Sequence, residues 1–143
     1  MKVYKFGGAS VKDANGVRNL HKIISNSNDN LVVVISAMGK TTNALELVVN
    51  SFFNHKSDTE ALLKKVVDYH ENIINDLFGA NRTEIDSHIN GLYEKINGIL
   101  SDKPSLSYDY EYDRIVSFGE LISTTIVACY LKYQGLNADW IDI

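Results

Sequence analysis

Apolar positions along this chain follow two patterns. Val3-Tyr4 within residues 2–6, and Leu31-Val32-Val33-Val34-Ile35, are short continuous runs and read as strands. The second run is nearly all β-branched with no polar interruption, as expected of a strand covered on both faces. Between them, Val11, Val17, Leu20, Ile23 and Ile24 recur at helical spacing over residues 11–26, and a polar turn follows at 26–30. Strand, helix, buried strand predicts a βαβ unit with a parallel pair.

Helical spacing then dominates. Leu45, Val48, Val49, Phe52 and Phe53 mark a helix over 43–54. Ser57-Asp58-Thr59-Glu60 matches a capping box and opens a helix carrying Leu62, Leu63, Val66, Val67, Ile73, Ile74 and Leu77, ending near Gly79. Asn81 or Thr83 starts another, with Ile85, Ile89, Leu92, Ile96 and Ile99 in register. Joined by a short loop, these two predict an antiparallel helical hairpin over about 57–101. Pro104 sits in a break at 101–107. Tyr108–Asp113 opens a last helix that runs through Ile115 to Tyr133 and stops at Gly135. Residues 138–143 read as a third strand.

The 143 residues suffice for one ordinary domain, and 45% hydrophobic with 22% charged residues is usual for a globular chain. The longest apolar runs are too short to cross a bilayer, so no membrane partner is expected. Cys129 is the only cysteine, which excludes an internal disulfide and points to a reducing, cytoplasmic setting. A net charge of -4 without a basic stripe argues against nucleic acid as a partner.

Candidate chemistry gathers at three places. Lys5-Phe6-Gly7-Gly8-Ala9-Ser10 stands between a strand and a helix. Adjacent glycines there let a ligand approach the backbone, helix-start N–H groups favour an anion, and Lys5 adds a mobile positive charge. The plainer alternative is a ligand-free turn, with Ser10 as N-cap and Asp13 completing a capping box. Ser36-Ala37-Met38-Gly39-Lys40-Thr41-Thr42-Asn43 leaves the second strand at its carboxyl end, where open α/β sheets collect ligands. It should share an edge with the Gly-Gly loop. Its Gly-Lys-Thr is not a P-loop, because the required earlier glycine falls at Val34. The third place is Ser117-Phe118-Gly119-Glu120-Leu121. Glu120 lies in an apolar helical context and needs a positive partner, either a salt bridge or the ammonium of a ligand. His21, His55, His70 and His88 show no ligand spacing with one another or with Cys129, so no metal site is expected.

Together these segments resemble the aspartokinases of the amino-acid kinase family. Lys5-Phe6-Gly7-Gly8-Ala9-Ser10-Val11 is similar to their Lys-Phe-Gly-Gly-Thr-Ser-Val signature, with Ala9 in place of Thr. Ser36-Ala37 with Thr42-Asn43 resembles the second family loop, Ser117–Leu121 the third, and Ala138–Asp142 the next strand. The resemblance implies an α/β fold, a three-layer sandwich around a mostly parallel sheet, present here as its N-terminal portion with the helical hairpin inserted. It implies transfer of phosphate from ATP, with Mg²⁺, to the β-carboxylate of L-aspartate. This is the first step of lysine, threonine and methionine biosynthesis. Lys5 would act catalytically and, with Gly7, Gly8 and Ser10, hold the ATP phosphates. Ser36, Thr42 and Glu120 would bind aspartate, and Mg²⁺ has no direct protein ligand here. Family members continue into a Gly-Arg-Gly-Gly-Ser-Asp-type segment, a nucleotide-binding half and ACT regulatory domains. Residues 1–143 are therefore expected to be the N-terminal part of the catalytic domain, inactive alone and homo-oligomeric when full length. The alternatives are a glutamate or acetylglutamate kinase and a non-catalytic phosphate-binding module.

Overall fold

The computed structural model describes residues 1–142. Strands β1 (Lys2–Phe6) and β2 (Leu31–Ile35) pair in parallel, with Lys2 opposite Leu31 and Phe6 opposite Ile35. Between them come a 3-10 turn at Gly8–Val11 and helix α1 (Ala14–Ser25). Helices α2 (Thr41–Phe53), α3 (Thr59–Phe78), α4 (Thr83–Ser101), α5 (Tyr108–Val116) and α6 (Phe118–Tyr133) follow.

The expected first helix is thus divided. Asp13, not Ser10, caps it, its Oδ1 accepting the Gly16 N–H at 2.8 Å. A carboxylate at the N-cap satisfies one orphan donor and suits the positive helix end. The capping box at Ser57–Glu60 does not form either. Asp58 precedes α3 but accepts a hydrogen bond from Ser51 Oγ at 2.5 Å, so its side chain ties α2 to α3.

Paired residues in a parallel register share a face. Phe6, Val33 and Ile35 turn into the main core with Val17, Leu20, Ile74 and Ile126. Val3, Lys5, Val32 and Val34 form the other face, where Val3 is 64%, Val32 45% and Val34 44% exposed. The β2 strand is therefore covered on one face only among the described residues, against the two-sided burial its composition implied. A second cluster joins Leu45, Val49 and Phe52 of α2 to Val66 of α3 and to Ile115 and Val116 of α5. Each such side chain contributes about 1.5–3 kcal/mol on burial before chain entropy is subtracted.

Helix α3 lies most closely on α2, and α4 on α6. Arg82 ties the α3–α4 connection, pairing with Glu71 of α3 and Asp86 of α4, each at 2.6 Å. Tyr108–Tyr133 does have the length and apolar character of a membrane-crossing helix, but most of it is buried in this core. The α6 helix ends in a Schellman motif, with Leu136 N–H donating to Leu131 O and Gly135 at φ +85°. Residues 138–142 form no strand. Instead Trp140 Nε1 donates to Thr124 Oγ1 at 2.9 Å, laying the segment along α6, and Ile143 is outside the described residues.

Glu111 is a buried charge that the alternating aromatic and acidic residues at 108–113 did not reveal. Its Oε1 accepts the Ser105 N–H at 2.6 Å and its Oε2 accepts Arg114 Nε at 2.7 Å. Burial pushes the carboxyl pKa up. The Ser105 hydrogen bonds and the Arg114 guanidinium outweigh this and hold it below the ordinary carboxylate value. A lowered folded-state value stabilises the fold fully above the unfolded pKa, and that contribution disappears as pH falls through the folded value. Glu111→Gln is expected to cost about 1.5–3 kcal/mol at neutral pH and to flatten the stability loss on acidification. Urea melts of both proteins from pH 7 to pH 3 check this. Equal slopes would refute it.

Candidate functional site

The pairing of β1 with β2 continues into the loops that follow them. Ser36 N–H donates to Phe6 O at 3.1 Å, and Gly39 N–H donates to Gly8 O at 2.9 Å. The Gly-Gly loop and the Ser36–Lys40 loop therefore share one edge of the sheet, as their positions in the sequence require. The approach is close. A Cβ on Gly8 would lie 2.4 Å from Ala37 O and 3.0 Å from Gly39 O, both backbone atoms.

Helix α6 brings the third segment to the same point. Ser123 Oγ donates to Ser36 O at 2.8 Å, and Ala37 N–H donates to Glu120 Oε1 at 3.4 Å. Gly119 permits this docking, since its Cβ would stand 3.0 Å from Ala37 Cβ. Ala37 thus sits between the Gly-Gly loop and the amino end of α6.

The expected site residues fall as follows. Lys5 and Gly7 are exposed, Lys5 on the open face of the sheet, while Gly8 is half-buried. Ser10 is exposed and its N–H donates to Gly7 O at 2.9 Å. Ser36 and Thr42 are half-buried, Thr42 in the first turn of α2. Glu120 is exposed, and the described ion pairs include neither it nor Lys5. Among the described residues Glu120 therefore makes no structural salt bridge, and its one close donor is the Ala37 N–H. One part of the sequence reading changes. The N-terminus of α1 is already capped by Asp13, so that helix end does not offer an anion site.

A different helix end does face the loops. Helix α2 begins at Thr41 with no side-chain cap, and Lys40 precedes it, exposed. Its first-turn N–H groups and positive dipole end lie beside the Ser36–Lys40 loop. The sequence signal for it is Gly39-Lys40-Thr41-Thr42, a glycine and a lysine directly before a helix start. Thr41 is locked in place. Its Oγ1 donates to Met38 O at 2.6 Å and lies 3.3 Å from Nε2 of the fully buried His70. Burial lowers the His70 pKa against the opposing Val66 carbonyl and Glu71, and Nδ1–H donates to Val66 O at 2.7 Å. A small cavity of about 150 Å³ adjoins this helix end, lined by Lys40, Thr41, Ala44, Lys65 and Tyr69 among others.

In chemical terms, the edge joins a glycine loop, an exposed lysine, a helix start without a side-chain cap, hydroxyls and an exposed carboxylate, with neither charge in an ion pair among the described residues. It can hold an anion on one side and a cation on the other.

Comparison with known proteins gives a consistent likeness. A sequence model of the amino acid kinase family matches residues 1–143. Chloroplastic aspartokinase 2 of Arabidopsis thaliana is 34% identical over 95% of this chain, which spans 25% of that relative. The bifunctional aspartokinase/homoserine dehydrogenase 2 of Escherichia coli is 27% identical over 99% of the chain and 17% of that relative. This chain thus spans about a quarter or less of these relatives. Among solved structures, E. coli aspartokinase III in complex with aspartate and ADP superposes with a TM-score of 0.85 at 25% identity. That match covers 99% of this chain and 31% of the other. The aspartate kinase of Clostridium acetobutylicum shares the fold at 24% identity and a TM-score of 0.73, covering 92% of this chain and 29% of that one.

Proposed function

We propose, from the premise that this chain belongs to the amino acid kinase family, that it is the amino-terminal, aspartate- and phosphate-binding part of an aspartate kinase. The observation that carries this reading is the meeting of the Gly-Gly loop, the Ser36–Lys40 loop and the start of α6 around Ala37 and Gly39, with Glu120 in no ion pair among the described residues. The two-stranded sheet is then one part of a three-layer sandwich in which α3 and α4 form the inserted hairpin. Further sheet and helices of the same catalytic domain cover Val3, Val32 and Val34. The chain alone, without a nucleotide-binding half, is inactive.

In the reaction, a β-carboxylate oxygen of L-aspartate attacks the γ-phosphorus of ATP. The P–O bond to ADP breaks, and an acyl phosphate remains. Such a transfer needs positioning and charge stabilisation rather than covalent work by the protein. Lys5 neutralises charge gathering on the transferring phosphoryl oxygens, while the backbone at Gly7 and Gly8 and the Ser10 hydroxyl position the phosphates. Glu120 receives the substrate ammonium; Ser36, Thr42 and the α2 start receive its oxygens. Mg²⁺ does not fit a protein site here, since Asp13 is committed to its cap and Glu120 to the ammonium. It is expected to arrive bound to the nucleotide. The enzyme is expected to be cytoplasmic and homo-oligomeric.

Glu120→Gln tests this. The amide keeps an oxygen for the Ala37 N–H but loses the charge. In the full-length protein, KM for aspartate should rise on the order of 10–100-fold, from the worth of a charged hydrogen bond, with KM for ATP and thermal stability little changed. An unchanged aspartate KM would remove Glu120 from the site. Preference for glutamate over aspartate in the wild type would favour the glutamate-kinase alternative.

A further inference from the structure

Glu84 and His88 are four residues apart on α4, so their carboxylate and imidazole lie on one face. Cys129 of α6 meets them where the two helices pack. A carboxylate oxygen, an imidazole nitrogen and the Cys129 Sγ all lie within 4.8 Å of one another. Glu84 and His88 are exposed and Cys129 is buried, and all three line a cavity of about 320 Å³ bordered by Lys95, Lys132 and Trp140. The Glu84 hydrogen bond described is through its backbone carbonyl, which accepts from Ser87 Oγ. The described ion pairs involve other residues. Cys129 is nine positions beyond Glu120 on α6, so this cluster is about 13 Å along the helix from the loops at the sheet edge.

We propose that Glu84, His88 and Cys129 hold one thiophilic divalent metal ion of the zinc class, clamping α4 to α6. Thiolate, imidazole and carboxylate are the donors zinc prefers, at about 2.3 Å for sulfur and about 2.0–2.2 Å for nitrogen and oxygen. Donors around a tetrahedral ion with those bond lengths are about 3.3–3.8 Å apart, so modest rotation of the two exposed side chains closes the set. Binding forms three metal–ligand bonds and releases the thiol proton to solvent. The fourth position opens to the cavity and takes water. Two anionic ligands neutralise the dication, so Lys95 and Lys132 at the rim meet no net positive charge.

The test titrates metal-free protein with Zn²⁺ against a chromophoric chelator, and with Co²⁺ to read the thiolate-to-cobalt absorption band. One equivalent should bind with a tetrahedral, thiolate-containing cobalt spectrum. His88→Ala and Glu84→Gln, both at exposed positions that leave folding intact, should each weaken binding at least tenfold, and Cys129→Ser should abolish the band. No stoichiometric binding at micromolar Zn²⁺ would overturn the proposal. So would binding unaffected by both His88→Ala and Glu84→Gln, which would mean capture by the cysteine alone.

Discussion

Lys5→Met in the full-length protein should lower kcat about 10³-fold while leaving the melting temperature within about a degree of wild type. Both halves of that expectation come from position. Lys5 is exposed near the end of β1, and the described ion pairs do not include it. Methionine keeps the apolar stem beside Val3, Val32 and Val34, so the fold loses little. In the proposed mechanism the lost ammonium acts on charge that develops as the phosphoryl group moves, so the effect is expected in kcat rather than in substrate affinity. Lys5→Arg should recover part of the rate, because it restores charge but with a planar fork in place of a compact point charge. Steady-state kinetics with a coupled ADP assay reads all three proteins. A methionine variant within tenfold of wild type would mean that Lys5 does not stabilise the transfer.

Gly8→Ala should damage both stability and rate. The added methyl would sit 2.4 Å from Ala37 O, a backbone atom with no rotamer to yield, and would strain the Gly39 N–H bond to Gly8 O. Forcing the loops apart should cost about 1–3 kcal/mol. A displacement near 1 Å between the loops proposed to hold the two reacting groups should cost a further 10²-fold in rate. Gly7→Ala is the matched control. Gly7 has φ -75° and ψ 165°, a conformation open to any residue, and a Cβ there would meet nothing within 4 Å. Its stability should hold or rise by about 0.4–1 kcal/mol through the unfolded chain. If Gly7 lies against the ATP phosphates, KM for ATP rises nonetheless. Thermal melts and ATP kinetics on both variants separate a packing role from a ligand role. Equal stability for the two variants would contradict the close approach at Gly8.

Much of this architecture was legible in the residues. The β1 and β2 bounds follow from continuous apolar runs, and Gly135 closes α6 by supplying the positive φ its Schellman motif needs. The Gly-Gly loop and the Ser36–Lys40 loop could be placed at one edge because two parallel strands must present their carboxyl ends together, whereas the arrival of the α6 start at Ala37 depends on tertiary packing. What failed depended on partners distant in the sequence. Whether Val32 and Val34 are covered depends on which elements lie over them, and strand character at 138–142 needs a neighbouring strand to pair with. Capping was misjudged twice because short side chains choose among competing donors. Asp13 took the Gly16 N–H, and Asp58 took the Ser51 hydroxyl. Glu111 looked like one of several surface acids until the Ser105 connection folded over it. Cys129 and His88 are 41 positions apart, a separation that no spacing rule connects but that the packing of α4 on α6 closes.

The central claim is tested most directly by the phosphoryl acceptor. The full-length protein should be incubated with ATP, Mg²⁺ and either L-aspartate or L-glutamate, with the acyl phosphate trapped by hydroxylamine and the hydroxamate measured. An ATP-dependent hydroxamate from aspartate, with little from glutamate, is the expected result. A product from glutamate alone, or from neither acid, would contradict the assignment of Glu120 and the loops around Ala37 to an aspartate site.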